Sequence, residues 1–126
     1  MPVETLQAWQ LAMKLVPKIY RLTARFPSCE RFGLAAQMRN AAVSIPSNLA
    51  EGHARHTRRE FARFVSHAQG STAELRTQLL IALELSYAEF DAAMDDELDH
   101  LARCLNRLRT SLLQSPRISN PESRIS

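Results

Sequence analysis

Arg55, Arg58, Arg59 and Arg63 crowd a stretch of nine residues around Thr57-Arg58-Arg59-Glu60. That run matches the Thr-x-x-Glu capping box and so marks the start of a helix. Cations in a first helical turn oppose the helix dipole, and a local rule broken without visible compensation points to function. Guanidinium groups beside the free amides of such a turn suit phosphate. A second group, Lys14, Lys18, Arg21 and Arg25, recurs at helical spacing. At ~100° per residue these four fall within roughly 60° of one another. The eight cations are the candidate nucleic-acid-binding residues. The plainer alternatives are a solvated surface, or charges that pair with acids across a subunit contact.

Other residue types offer less. Ser44, Asn48 and Glu51 on one expected helix, and His67, Ser71, Glu74 and Gln78 on the next, form polar stripes. Buried polar groups must be paired, so Ser44, Asn48, Glu51, Ser71, Glu74 and Gln78 are read as a structural network that fixes helix register. His53-x-x-His56 followed by Glu60 offers two imidazoles and a carboxylate near a helix start, whereas a metal site needs ligands on one face with outer support. The Glu-x-x-His pattern, which di-iron bundles use in pairs, occurs once, at Glu97 and His100. There is no Gly-x-Ser-x-Gly elbow and no phosphate-binding glycine loop. No catalytic residue, metal or cofactor is therefore expected, and the chain is read as a non-enzyme.

Four helices are predicted to carry these residues, at about 6–25, 29–52, 58–86 and 92–113. Phe26-Pro27-Ser28 ends the first, and Pro17 should kink it. Leu15, Ile19, Leu22 and Phe26 make one apolar ridge of this helix, and Leu6, Trp9, Met13, Val16 and Tyr20 make another. Together they span roughly 220°, well beyond the ~100° stripe of a helix with one buried face. Such a helix should touch both its own bundle and a neighbouring subunit. Ser28 is the expected N-cap of helix 2, whose core stripe is Leu34, Met38, Ala42, Ile45 and Leu49, with a bend at Pro46. Helix 3 places Phe61, Phe64, Val65, Ala68, Thr72, Leu75, Leu79 and Ala82 inward. Its Gly70 costs ~1 kcal/mol relative to Ala, which a close helix–helix approach would explain. Helix 4 follows Asp91 as N-cap, and Leu98, Leu101, Leu105, Leu108 and Leu112 repeat as a bundle seam. Residues 115–126 lack periodicity and read as a tail. The fold class is all-α, an antiparallel up-and-down four-helix bundle within residues 1–114.

Composition agrees with that architecture. The 126 residues make one domain. Three glycines are too few for the turns of an all-β fold. No apolar run approaches the ~18 residues of a membrane span, so no membrane partner is expected. Two cysteines, Cys29 and Cys104, cannot build a disulfide framework, and the cytoplasm is the default location. Charge is divided. Residues 14–63 carry ten Lys and Arg against three Glu, and residues 64–114 carry four Arg against eight acids. Two such halves can attract a polyanion or pair with each other between subunits.

A longer pattern runs through helices 2 and 3. Phe32-Gly33-Leu34, Gln37-Met38-Arg39 and Ala41-Ala42-Val43-Ser44-Ile45-Pro46-Ser47-Asn48-Leu49-Ala50-Glu51-Gly52 carry most of it. Phe61, Phe64, Ala68, Gly70-Ser71, Glu74-Leu75 and Thr77-Gln78-Leu79 continue it, and Trp9-Gln10, Ala12, Leu15, Ile19-Tyr20 and Phe26-Pro27 extend it through helix 1. In these positions, over roughly residues 5–113, the chain resembles the four-helix-bundle proteins encoded in intervening sequences of bacterial large-subunit ribosomal RNA genes. It departs from them at Asn40 and at Leu85-Ser86-Tyr87. The resemblance implies a ring-shaped homopentamer. It also implies a likeness to the accessory protein of diversity-generating retroelements, a basic pentamer that works with a reverse transcriptase and nucleic acid. The expected partners are therefore further copies of the chain, RNA or DNA, and a nucleic-acid enzyme.

Overall fold

Helix ends are set by short side-chain and backbone devices. A computed structural model describes residues 2–114, and the predicted tail at 115–126 lies outside them. Among the described residues there are four α-helices and no strand: α1 (Gln7–Thr23), α2 (Leu34–His53), α3 (Arg58–Glu84) and α4 (Ala92–Leu113). Thr57 caps α3 by accepting from the Glu60 amide at 3.1 Å, and Asp91 caps α4 by accepting from the Met94 amide at 3.1 Å. Both caps agree with the sequence reading. Helix α2 does not. It starts at Leu34 instead of 29, because Ser28–Glu30 forms a separate 3-10 turn behind Pro27. Ser28 is not its cap. The Glu30 carboxylate takes the Leu34 amide at 3.1 Å instead, and its other oxygen accepts the Tyr87 hydroxyl at 2.9 Å. That hydrogen bond raises the Tyr87 hydroxyl above the usual phenol range.

Helix α3 stops at Glu84, two residues earlier than predicted. Ser86 turns into the left-handed region at φ 61°. The Ser86 amide donates to the Leu83 carbonyl and the Tyr87 amide to the Ala82 carbonyl, the Schellman closure. Pro17 and Pro46 both sit inside helices that continue past them.

Each helix packs against its chain neighbours, and α4 closes against α1, so the diagonal pairs stay apart. Ile19, Met38, Ile45, Leu49, Val65, Leu75, Leu98, Leu101 and Leu105 fill the centre with under 2% of their surface exposed. The predicted seams of α2, α3 and α4 account for all of these except Ile19, which belongs to the predicted inner ridge of α1. The outer ridge of α1 stays open: Met13 is 44% and Tyr20 43% exposed. Leu6, Trp9 and Val16 are half-buried between them.

The close helix–helix approach predicted at Gly70 is not found there. Gly70 is exposed, and a Cβ built there would meet nothing within 4 Å. The close approach belongs to Gly52. A Cβ there would lie 2.6 Å from the Phe64 Cβ and 3.0 Å from the Phe61 Cδ1. Gly52 is where the end of α2 crosses the start of α3.

Candidate nucleic-acid interface

The arginines at the start of α3 divide into three kinds of environment. Arg55 pairs with Glu51 at 3.0 Å, and its guanidinium lies 4.9 Å from the Phe64 ring centre. Arg63 lies over the same ring at 5.0 Å. Arg58 donates to the Ser111 carbonyl at 2.6 Å and to the Leu112 carbonyl at 3.4 Å. Antiparallel packing brings the last carbonyls of α4 beside the first turn of α3. The Arg58 charge therefore faces the negative end of a neighbouring dipole, which more than explains its place in an unfavourable turn of its own helix. The broken local rule has a structural cause at Arg58. Arg59 is exposed and has no acid partner within 4 Å among the described residues.

The helix 1 group lies elsewhere. Lys18 pairs with Glu97 of α4, while Lys14, Arg21 and Arg25 are exposed and carry no ion pair among the described residues. Lys18 reaches α4 from α1, and Arg58 reaches it from α3. The two basic groups thus flank α4 on different sides and do not merge into one patch. Three of the four acids inside α4 have partners within the chain: Glu97 with Lys18, Asp95 and Asp99 with Arg76 at 3.7 and 3.9 Å, and Asp99 also with Arg103. Asp96 is exposed and carries no ion pair among the described residues.

The polar stripes meet only in part. The Ser44 and Ser71 hydroxyls share a hydrogen bond of 2.7 Å between α2 and α3. The Asn48 amide donates to the Ser44 hydroxyl at 2.9 Å and to its carbonyl at 2.8 Å. Glu51 is turned outward to Arg55 and takes no part. Gln78 is buried, and among the described residues it reaches only Glu74, at 3.5 Å, with no partner for its Oε1. The network is therefore Ser44, Asn48 and Ser71. Replacing Asn48 with Leu strands polar groups in a half-buried contact, with an expected cost of about 1 kcal/mol. Thermal unfolding should show a midpoint roughly 4 °C lower, against no change for Arg21→Ala on the open surface. Equal midpoints would mean that water replaces the amide without loss.

His53 stacks edge-on against Phe61, with ring centres 5.8 Å apart, and His67 against Phe64 at 5.6 Å. Among the described residues no three His, Cys, Asp or Glu side chains gather as a metal site. No described helix is long and apolar enough to cross a membrane.

Three residues outside the predicted set matter here. Arg39 donates to the Thr23 hydroxyl at 2.8 Å and to the Tyr20 carbonyl at 3.2 Å, so it closes the end of α1 much as Arg58 closes α4. Arg109 of α4 donates through Nε to the Ser66 hydroxyl of α3 at 2.8 Å. The antiparallel run of helices 3 and 4 was the one signal for this contact, since it places the end of helix 4 beside Arg59 and Arg63.

The family model described as 23S rRNA-intervening sequence protein matches residues 4–107. None of the curated proteins matches the chain.

Proposed function

Because the chain belongs to the 23S rRNA-intervening sequence protein family, and because all of its eight candidate cations except Lys18 and Arg55 lack an acid partner among the described residues, we propose that it is a non-enzymatic oligomer that binds RNA or DNA. The oligomer is a ring-shaped homopentamer of four-helix bundles, located in the cytoplasm, and a nucleic-acid enzyme is its protein partner. One observation carries the nucleic-acid part. Asp95, Glu97 and Asp99 of α4 are engaged by Lys18, Arg76 and Arg103 of the same chain, so three of the four acids inside α4 are poor partners for the basic surface of a second copy. Lys14, Arg21, Arg25, Arg59 and Arg63 carry no ion pair among the described residues and are placed to meet phosphates, which position a backbone without reading its sequence.

A second reading, an assembly scaffold for another protein, is favoured by a different observation. Leu80 is 60% and Phe90 67% exposed beside an open groove at the α3–α4 link. A salt titration of binding to RNA and DNA separates the two. Phosphate contacts release counterions, and the affinity falls steeply with salt. A scaffold binds neither polymer.

A further inference from the structure

We propose that Arg59, Arg63 and Arg109 form one phosphate-binding subsite across the α3–α4 groove, with Ser66 as the residue that positions Arg109. The proposal rests on the nucleic-acid reading above and names where the backbone is held. A cavity of about 330 Å³ opens between the two helices near their shared end. Its walls are Arg59, Glu60, Ala62, Arg63, Ser66, Arg109 and Leu113, which places three cations against one acid. Among the described residues none of the three guanidinium groups has a carboxylate within 4 Å. Lys18, Arg55, Arg76 and Arg103 each have one, whereas Lys14, Arg21 and Arg25 share the lack but line no cavity with one another.

Like charges one helical turn apart repel, as Arg59 and Arg63 do here, and Arg109 adds a third from the facing helix. A bound anion relieves that repulsion. Two of the three groups are also held in place before any ligand arrives. Arg63 lies over the Phe64 ring at 5.0 Å. Arg109 spends its Nε on the Ser66 hydroxyl and keeps both Nη groups without a partner among the described residues. A fixed fork of donors costs less to order on binding and matches the paired oxygens of a phosphate. Arg58 is not part of the subsite, because the α4 carbonyls occupy it.

The test uses the full chain and a labelled single-stranded RNA lacking a terminal phosphate, titrated across salt. Arg59→Gln and Arg109→Gln should each weaken binding about threefold to tenfold, and each should make the log–log salt slope shallower by about 0.7. Ser66→Ala should weaken binding by a smaller factor without moving the unfolding midpoint, and Ser66→Thr should restore it. Arg109→Lys keeps the charge, so the slope should be unchanged. If the parent binds RNA and Arg109→Gln leaves affinity and slope intact, the subsite is wrong while the nucleic-acid reading stands. Inorganic pyrophosphate supplies the other arm. If the parent binds no nucleic acid, yet pyrophosphate raises its unfolding midpoint and fails to raise that of Arg109→Gln, the subsite stands as one for free phosphates and the nucleic-acid reading falls. No binding and no protection would overturn both.

Discussion

A Gly52→Val variant is expected to lose about 3 kcal/mol of stability, the upper range for forcing extra carbon into a packed contact. Any side chain at this position begins with a Cβ 2.6 Å from the Phe64 Cβ and 3.3 Å from the Phe61 carbonyl oxygen. Relief requires α2 and α3 to separate where their crossing sets the bundle's end. Against a total of roughly 5–15 kcal/mol, the unfolding midpoint should fall by about 10 °C. Gly70→Ala has the opposite sign. Its Cβ meets nothing within 4 Å, and removing a mid-helix glycine should add up to about 1 kcal/mol. Denaturant unfolding of the two variants checks both signs. A Gly52→Val protein as stable as the parent would mean that the helix crossing is looser than its contacts indicate.

The second large effect concerns assembly. Met13 and Tyr20 leave over two-fifths of their surface in water on the outer ridge of α1, so each has apolar area to gain from a neighbouring copy. Full burial of such a side chain contributes about 1.5–3 kcal/mol, so covering the remaining two-fifths contributes about 1 kcal/mol per residue, and a carboxylate in its place is costly to desolvate. The Met13→Glu, Tyr20→Glu double variant should therefore run as a 14.2 kDa monomer in light scattering, where the parent gives about five times that mass. Loss of the ring should also weaken nucleic-acid binding about a hundredfold, since avidity multiplies weak contacts without adding new ones. A parent of monomeric mass, or a double variant that keeps the parent's mass, would remove α1 from the interface.

The sequence carried the helical architecture further than the site. The apolar spacing of α4 and the caps at Thr57 and Asp91 are local features, legible within one helical turn. What escaped depends on which helix faces which. A helical wheel cannot tell whether Gly52 or Gly70 meets a neighbour, and only the α2–α3 crossing decides it. Ser28 has the chemistry of a cap, yet the 3-10 turn hands that role to Glu30. Arg58 looks misplaced on its own helix and becomes ordinary beside the carbonyls of Ser111 and Leu112, 53 and 54 residues away. Arg109 was hidden by its setting in an acidic half of the chain, where net charge conceals a single cation turned toward the basic half.

In the proposed function, Lys14, Arg21, Arg25, Arg59, Arg63 and Arg109 hold nucleic-acid backbones. Fluorescence anisotropy of the parent with labelled single-stranded RNA, from 50 to 200 mM salt, tests it most directly. Three engaged phosphates per protomer predict a line of log affinity against log salt that falls with a slope of about −2 or steeper. A flat line, or no binding at 50 mM salt, would contradict the account.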